Sequence, residues 1–402
     1  MPQAIFADTP PPIYADDLFG PAALRQPFEH YRAIRDRGPL VWLAATEVYA
    51  IARFDDVQAG LRAAESLISS EGVGFNAAFN TKGEHPPIIH RDGQDHRNLR
   101  RVLARPLMPA ALKPHRDMLK ALISDRIASL VGSGDFEAVE EIARYLPIEA
   151  VAHLVGLGDA DRGEMLRWAT ASFNAIGPLA LDGSDDPALL ADLDVQLDVR
   201  RHLGELDPAT LRPGSWAAGL FDAVEAGQLS LAEARGALAG LVLPSLDTTI
   251  NAKANLLHAL ATHPEQWVAL KANPSLIPAA VREGMRYQPV VRWFSRVAAS
   301  AYPIGDMIIP QGGRVMLLYG AANRDERHYQ DPDRFLIERN PVDQLAWGTG
   351  PHMCAGAHLA RIEMEVMLEA LVEQVEQLRA GVAVKSASRG LYGFETLMLR
   401  LD

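Results

Sequence analysis

Cys354 is the only cysteine of the chain, so no internal disulfide can form. It lies in Trp347-Gly348-Thr349-Gly350-Pro351-His352-Met353-Cys354-Ala355-Gly356, where glycines and a proline mark an irregular loop. From about Gly356 the sequence turns helical, with Leu359, Ile362, Val366 and Leu368 at spacings near three and four. A sulfur at a helix N-terminus faces unpaired N–H groups and the positive end of the dipole, which favour thiolate over thiol. A glycine-rich loop lets backbone approach that sulfur and any flat ligand above it. Such a thiolate can attack an electrophile, bind zinc or hold haem iron. Structural zinc takes four ligands, most often with paired cysteines, and beside His352 and His358 there is no second cysteine. A nucleophile needs a partnered base, which the sequence neither supplies nor excludes. A lone cysteine is otherwise a small buried hydrophobe. Haem accounts best for the glycines.

The stretch resembles the cysteine-ligand loop of the cytochrome P450 family, Phe-Gly-x-Gly-x-His-x-Cys-x-Gly followed by a helix, with Trp347 in place of the phenylalanine. The resemblance implies haem b (iron protoporphyrin IX), with Cys354 as the iron ligand and Gly348 and Gly356 shaping the loop. Other segments follow the family in order, over roughly residues 20 to 400. Glu283-Gly284-Met285-Arg286 falls in the helical segment SLIPAAVREGMRYQ, with Glu283 and Arg286 three apart on one face. Asp331-Pro332-Asp333-Arg334-Phe335 is similar to the family's meander, whose arginine completes a buried cluster. The resemblance thus implies a structural trio of Glu283, Arg286 and Arg334. Ala321-Ala322-Asn323-Arg324-Asp325 also follows the pattern.

Residues 230–262 read as the longest helix, opened by the capping box Ser230-Leu231-Ala232-Glu233 and closed at His263-Pro264. Its centre, Leu243-Pro244-Ser245-Leu246-Asp247-Thr248-Thr249, falls where the family carries an acid–alcohol pair. The resemblance implies that Asp247 relays protons and Thr248 handles oxygen. Pro244 and Ser245 depart from the family pattern, and Pro244 is expected to bend the helix by removing an N–H. Asp-Thr-Thr within a helix also forms back-bonded polar turns. The resemblance further implies propionate partners: His96 and Arg100, four apart in Asp95–Arg100, together with Arg296 and His352. Arg97, Arg101 and Arg105 add a basic stripe where an acidic redox partner would dock. The chain lacks Gly-rich dinucleotide fingerprints and cysteine sets for iron–sulfur clusters. Electrons are therefore expected from another protein, which the resemblance implies is a ferredoxin with its NAD(P)H-dependent ferredoxin reductase.

The elements that must position these groups are mainly helical. Pro39–Arg53 reads as a small hairpin and helices dominate thereafter, giving a mainly α fold with small β-sheets (α+β), which the resemblance implies is the cytochrome P450 fold. The segments Leu181–Pro187 and Glu205–Ser215 are too short for domain linkers, so 1–402 reads as one domain with an extended segment at 1–19. Apolar residues make up 48% of the 402 and charged residues 22%, an ordinary globular balance. Net charge is −12, which argues against nucleic-acid binding. No apolar run approaches membrane-spanning length, and prolines and acids occupy the N-terminus, so no membrane association and a cytoplasmic location are expected.

For the substrate pocket the family segments suggest Phe75 and Phe79 from the loop Ser69–Ile89, Phe173, Leu243, Ser245, Val291, Phe294 and Leu391. That set suits a small aromatic or terpenoid-like molecule. Arg292 and Arg389 are alternatives as anchors for an acidic group, although alternation along an extended Val291-Arg292-Trp293 points Arg292 away from Val291's side. Ser172–Pro178 resembles bacterial members that oxidise para-substituted benzoates, which implies hydroxylation or oxidative O-demethylation. The reading is a haem-thiolate monooxygenase using O2 on a small organic substrate. A peroxide-using haem-thiolate enzyme and a non-catalytic haem sensor or carrier are its rivals.

Overall fold

The computed structural model describes residues 9–81, 86–179 and 186–402. Residues 1–8 of the expected extended segment, 82–85 of the 69–89 loop and 181–185 of the 181–187 loop lie outside the described residues.

Eight helices build the site: α1 (Gly93–Leu103), α2 (Arg116–Leu130), α3 (Asp159–Asn174), α4 (Pro187–Glu205), α5 (Leu231–Val242), α6 (Asp247–Thr262), α7 (Ile277–Tyr287) and α8 (Ala357–Gln374). Their starts follow local chemistry. Pro187 opens α4, and the Asp186 side chain accepts from the Ala188 N–H. Ser230 and Glu233 close the expected capping box on α5. Along α8, Leu359, Met364, Met367 and Leu371 bury one face against α2 and α7, while α6 packs on α7 and α8. On the other side, α4 packs against α3 and α5.

The hairpin expected over 39–53 forms from strands Val41–Leu43 and Val48–Ile51, paired antiparallel. It belongs to a six-stranded sheet in which Val48–Ile51 runs parallel to Arg314–Leu317 and Phe294–Ala298 lies beside that strand. This sheet brings Phe294 and Arg296 toward the helices. A three-stranded sheet joins Leu378–Lys385, Phe394–Leu401 and Asp135–Glu137. Among the described residues no helix is long and apolar enough to cross a membrane.

Two expectations need correction. The single helix over 230–262 is two helices of 12 and 16 residues, and α4, with 19, exceeds both. Pro244 has no N–H to continue the ladder, so the chain turns instead of bending. Ser245 N–H donates back three residues to the Val242 carbonyl (3.3 Å), and regular bonding resumes at Ile250 N–H to Leu246 O (2.9 Å).

The second concerns the buried trio. Glu283 and Arg286 do pair inside the protein, Nε to Oε2 at 2.7 Å with both side chains at zero exposure. The third arginine is Arg339, whose Nε approaches Glu283 Oε1 at 3.3 Å. Arg334 is exposed and faces Asp331, and only its backbone carbonyl accepts from Arg286 Nη2 (3.1 Å). The turn at Asp331, with φ +47°, directs the Arg334 side chain outward, and a 3-10 turn at Ile337–Arg339 brings the chain back. A second buried pair, Lys253 Nζ to Glu363 Oε2 at 2.6 Å, ties α6 to α8.

Candidate functional site

Cys354, His96, Arg100, Arg296, His352, Gly348, Gly356 and Thr248 line one cavity of about 290 Å³. The loop before α8 is closed by its own backbone. Cys354 N–H donates to Trp347 O (2.9 Å), Met353 N–H to Gly350 O (3.1 Å) and Gly348 N–H to Leu345 O (2.9 Å). Gly350 has φ +72°, and a Cβ there would stand 2.7 Å from the Leu61 carbonyl oxygen. At Gly356 a Cβ would come 4.0 Å from Cys354 Sγ, so the loop leaves the sulfur's surroundings open. Burial pushes the Cys354 thiol up, and the Gly356 and Ala357 N–H groups and the Arg100 charge only partly oppose it. A bound metal cation would reverse that balance.

Basic groups surround the same cavity. The His96 and His352 rings lie 4.3 Å apart, and His352 Nε2 is 3.2 Å from Asp92 Oδ1. Burial would raise the Asp92 carboxyl, but the His352 bond and the Ser70 and Ser69 N–H groups outweigh it and hold it at about 2. Arg100 Nη2 donates to Met353 O (2.6 Å), and Arg296 Nη1 to Ser295 O (2.7 Å). Neither guanidinium has a carboxylate partner among the described residues. His96 Nε2 is buried without a hydrogen-bond partner. Burial first, then the charges of His352 and Arg100, bring its pKa down to about 4. Two guanidinium groups without a carboxylate partner, an orphaned ring nitrogen and a sulfur on one cavity fit a flat, iron-bearing ring with two carboxylates.

On α6 the acid and the alcohol take different sides. Thr248 lines the cavity, and its Oγ1 donates to the Pro244 carbonyl freed by the break (2.8 Å). Asp247 is not among the cavity-lining residues. Its Oδ1 accepts from Asn251 Nδ2 (3.1 Å), and its other neighbours are Thr170 of α3 and Arg144. Burial raises the Asp247 carboxyl to about 6.

Of the expected pocket residues, Phe79, Phe173, Leu243, Ser245, Val291 and Phe294 line the cavity, whereas Phe75 and Leu391 do not. Phe75 stacks on Trp293 at 4.4 Å. Leu391 meets Val291 through a backbone bridge and buries its side chain in the core. Arg292 donates to Leu391 O (2.7 Å) and is spent on backbone, in keeping with the alternation argument. Arg389 pairs with Asp186 at 3.2 Å. Arg97, Arg101 and Arg105 are exposed.

Sequence reasoning missed Asp92, Tyr319, Gln196 and Arg200. For the last two a signal existed. Buried Leu189, Leu193, Gln196, Val199 and Leu203 form one helical stripe, and Arg200 sits within it.

The sequence model of the family described as cytochrome P450 matches residues 205–380. The chain is 31% identical to cytochrome P450 CYP199A2 of Rhodopseudomonas palustris over 96% of this chain and 93% of that protein. It is 29% identical to a beta-dihydromenaquinone-9 omega-hydroxylase of Mycobacterium tuberculosis, over 90% of this chain and 73% of that protein. Among solved structures, CYP164A2 of Mycobacterium smegmatis superposes with a TM-score of 0.85 at 28% identity, covering 96% of this chain and 98% of that one.

Proposed function

The chain belongs to the cytochrome P450 family, and from that premise we propose that it inserts one oxygen atom from O2 into a small, largely apolar substrate, by hydroxylation or oxidative O-demethylation. A ferredoxin with its NAD(P)H-dependent reductase supplies the electrons in this reading. The observation that carries it is the single cavity shared by Cys354, the Thr248 hydroxyl and four basic side chains. The family carries haem b, which supplies the iron centre where O2 is reduced and split.

Each side chain then has a task. Cys354 Sγ would ligate the iron, and the Gly356 and Ala357 N–H groups, which donate to the sulfur, would temper its charge. Arg100, Arg296 and His352 would hold the two propionates, and the unpaired His96 Nε2 would supply a fourth contact. Thr248 exchanges its bond to the Pro244 carbonyl for one into the cavity by rotating about a single bond. Asp247, poised at about 6, takes up and releases a proton near neutral pH on the α3 side of α6. Phe79, Phe173, Leu243, Val291 and Phe294 orient an apolar substrate and exclude water. Arg97, Arg101 and Arg105 present exposed positive charge to an acidic electron donor.

One observation favours the peroxide-using alternative: the acid beside Thr248 faces away from the cavity. Two measurements decide. Reduced protein under carbon monoxide should give a strongly red-shifted Soret band that Cys354→His abolishes. Protein that takes up no haem on reconstitution would sink the reading. Product made with hydrogen peroxide at the rate seen with ferredoxin and NAD(P)H would favour the alternative.

A further inference from the structure

One cation on the cavity wall remains after the propionate partners are assigned. Arg200, on α4, lines the cavity near Phe79 and Phe173, on the wall built by α3, α4 and α5. All its partners are neutral. Nη1 donates to the carbonyl oxygens of Phe79 and Thr81, both at 3.2 Å. Gln196, itself fully buried, turns its carboxamide oxygen to accept from Nη2 (2.8 Å) and Nε. The guanidinium lies over the Phe79 ring, 5.1 Å from its centroid. Among the described residues no carboxylate pairs with it, and burial alone draws its pKa down to about 10.

The adjacent residue sets a contrast. Arg201 faces solvent and pairs with Asp198 at 2.9 Å on the same helix. The outer arginine has an acid although water solvates it; the inner one, half-buried on the cavity wall, has none. A half-buried guanidinium without a counter-charge on a largely apolar wall makes sense where an incoming anion completes it. Gln196 takes two of the five N–H donors and the Phe79 and Thr81 carbonyls take two more, so the guanidinium is oriented before a ligand arrives and one Nη2 N–H is left for it. One guanidinium balances one negative charge, which fits a monocarboxylate better than a dianionic phosphate.

We propose that Arg200, held by Gln196, binds the carboxylate of the substrate, so that the substrates are monocarboxylic acids with an apolar body. This rests on the monooxygenase reading above and names its substrate class. Arg292 and Arg389, the candidates for such an anchor in the sequence, do not line the cavity.

The test is equilibrium titration of the haem-loaded protein with 4-alkylbenzoates and medium-chain n-alkanoates, each against its primary amide, followed by the Soret shift. The acids should bind at least about tenfold more tightly than the amides. Arg200→Leu should weaken acid binding by about 10- to 100-fold and leave amide affinity within about threefold, while Arg200→Lys falls between. A normal carbon-monoxide band in each variant checks that the haem site is intact. Amides binding as well as acids, acids failing to bind, or a preference that survives Arg200→Leu would each overturn the proposal. Neutral compounds oxidised while acids are ignored would retain the monooxygenase and remove Arg200's role. Acids bound through Arg200 but never oxidised would retain Arg200 and remove the monooxygenase.

Discussion

Around Cys354 the loop is closed by backbone hydrogen bonds between its own residues, whereas between Val242 and Asp247 the chain leaves one helix and starts another. In the first region side chains are almost spectators to the shape: two positive-φ glycines and the Trp347 carbonyl set where the sulfur sits. In the second, hydroxyls replace the missing ladder. Ser245 Oγ donates to Val242 O (2.7 Å), Thr248 Oγ1 to Pro244 O (2.8 Å) and Thr249 Oγ1 to Ser245 O (3.5 Å). The residues that line the oxygen side thus also cap orphaned carbonyls. A ligand loop built on backbone tolerates no shift. A wall built on rotatable hydroxyls can rearrange when a ligand or a proton arrives.

The largest effect should come from the cluster beneath the rigid region. Glu283→Gln leaves Arg286 and Arg339 buried without their counter-charge, at a cost of about 3–5 kcal/mol. Haem incorporation and the melting temperature should both fall; an unchanged melting temperature would show that the cluster is dispensable. Next, Gly350→Ala places a methyl 2.7 Å from the Leu61 carbonyl at a left-handed φ. That should cost about 2 kcal/mol and blur the carbon-monoxide band.

The compliant region should respond in function rather than stability. Thr248→Ala removes one cap but should keep the fold, and product per NAD(P)H consumed should drop by about tenfold. Coupling that stays at the wild-type value would detach Thr248 from proton handling. The smallest effect concerns Asp247. Its carboxyl titrates at about 6 in the fold against 3.8 for an ordinary aspartate, so the native state holds the extra proton between those values. Its contribution to stability is full below 3.8 and is lost as pH rises through about 6. Asp247→Asn should flatten the melting temperature across that window, and equal slopes for the two proteins would contradict the burial argument.

Much of this was legible in local runs. The Cys354 loop, the capping box at Ser230, the 39–53 hairpin and the His96–Arg100 face are all set by residues within about one helical turn of each other, where spacing maps directly onto geometry. Pro244 announced a disturbance, and the chain-wide consequence was a break rather than a bend. Arg334 and Arg339 could not be separated from sequence, because which one turns inward depends on the φ of Asp331 and on what α7 leaves buried. Phe75 and Phe79, four apart, likewise part company, one packing on Trp293 and the other lining the cavity.

By itself, then, the sequence determined the sulfur, its loop and the order of the elements, since short-range spacing is enough to specify them. Only the tertiary structure decided which charges are compensated. Arg286 finds Glu283 and Arg339 joins them, Lys253 finds Glu363 across two helices, and Arg200 meets only neutral groups. Compensation depends on which distant side chains burial brings within a few ångströms, and no periodicity along the chain encodes that distance.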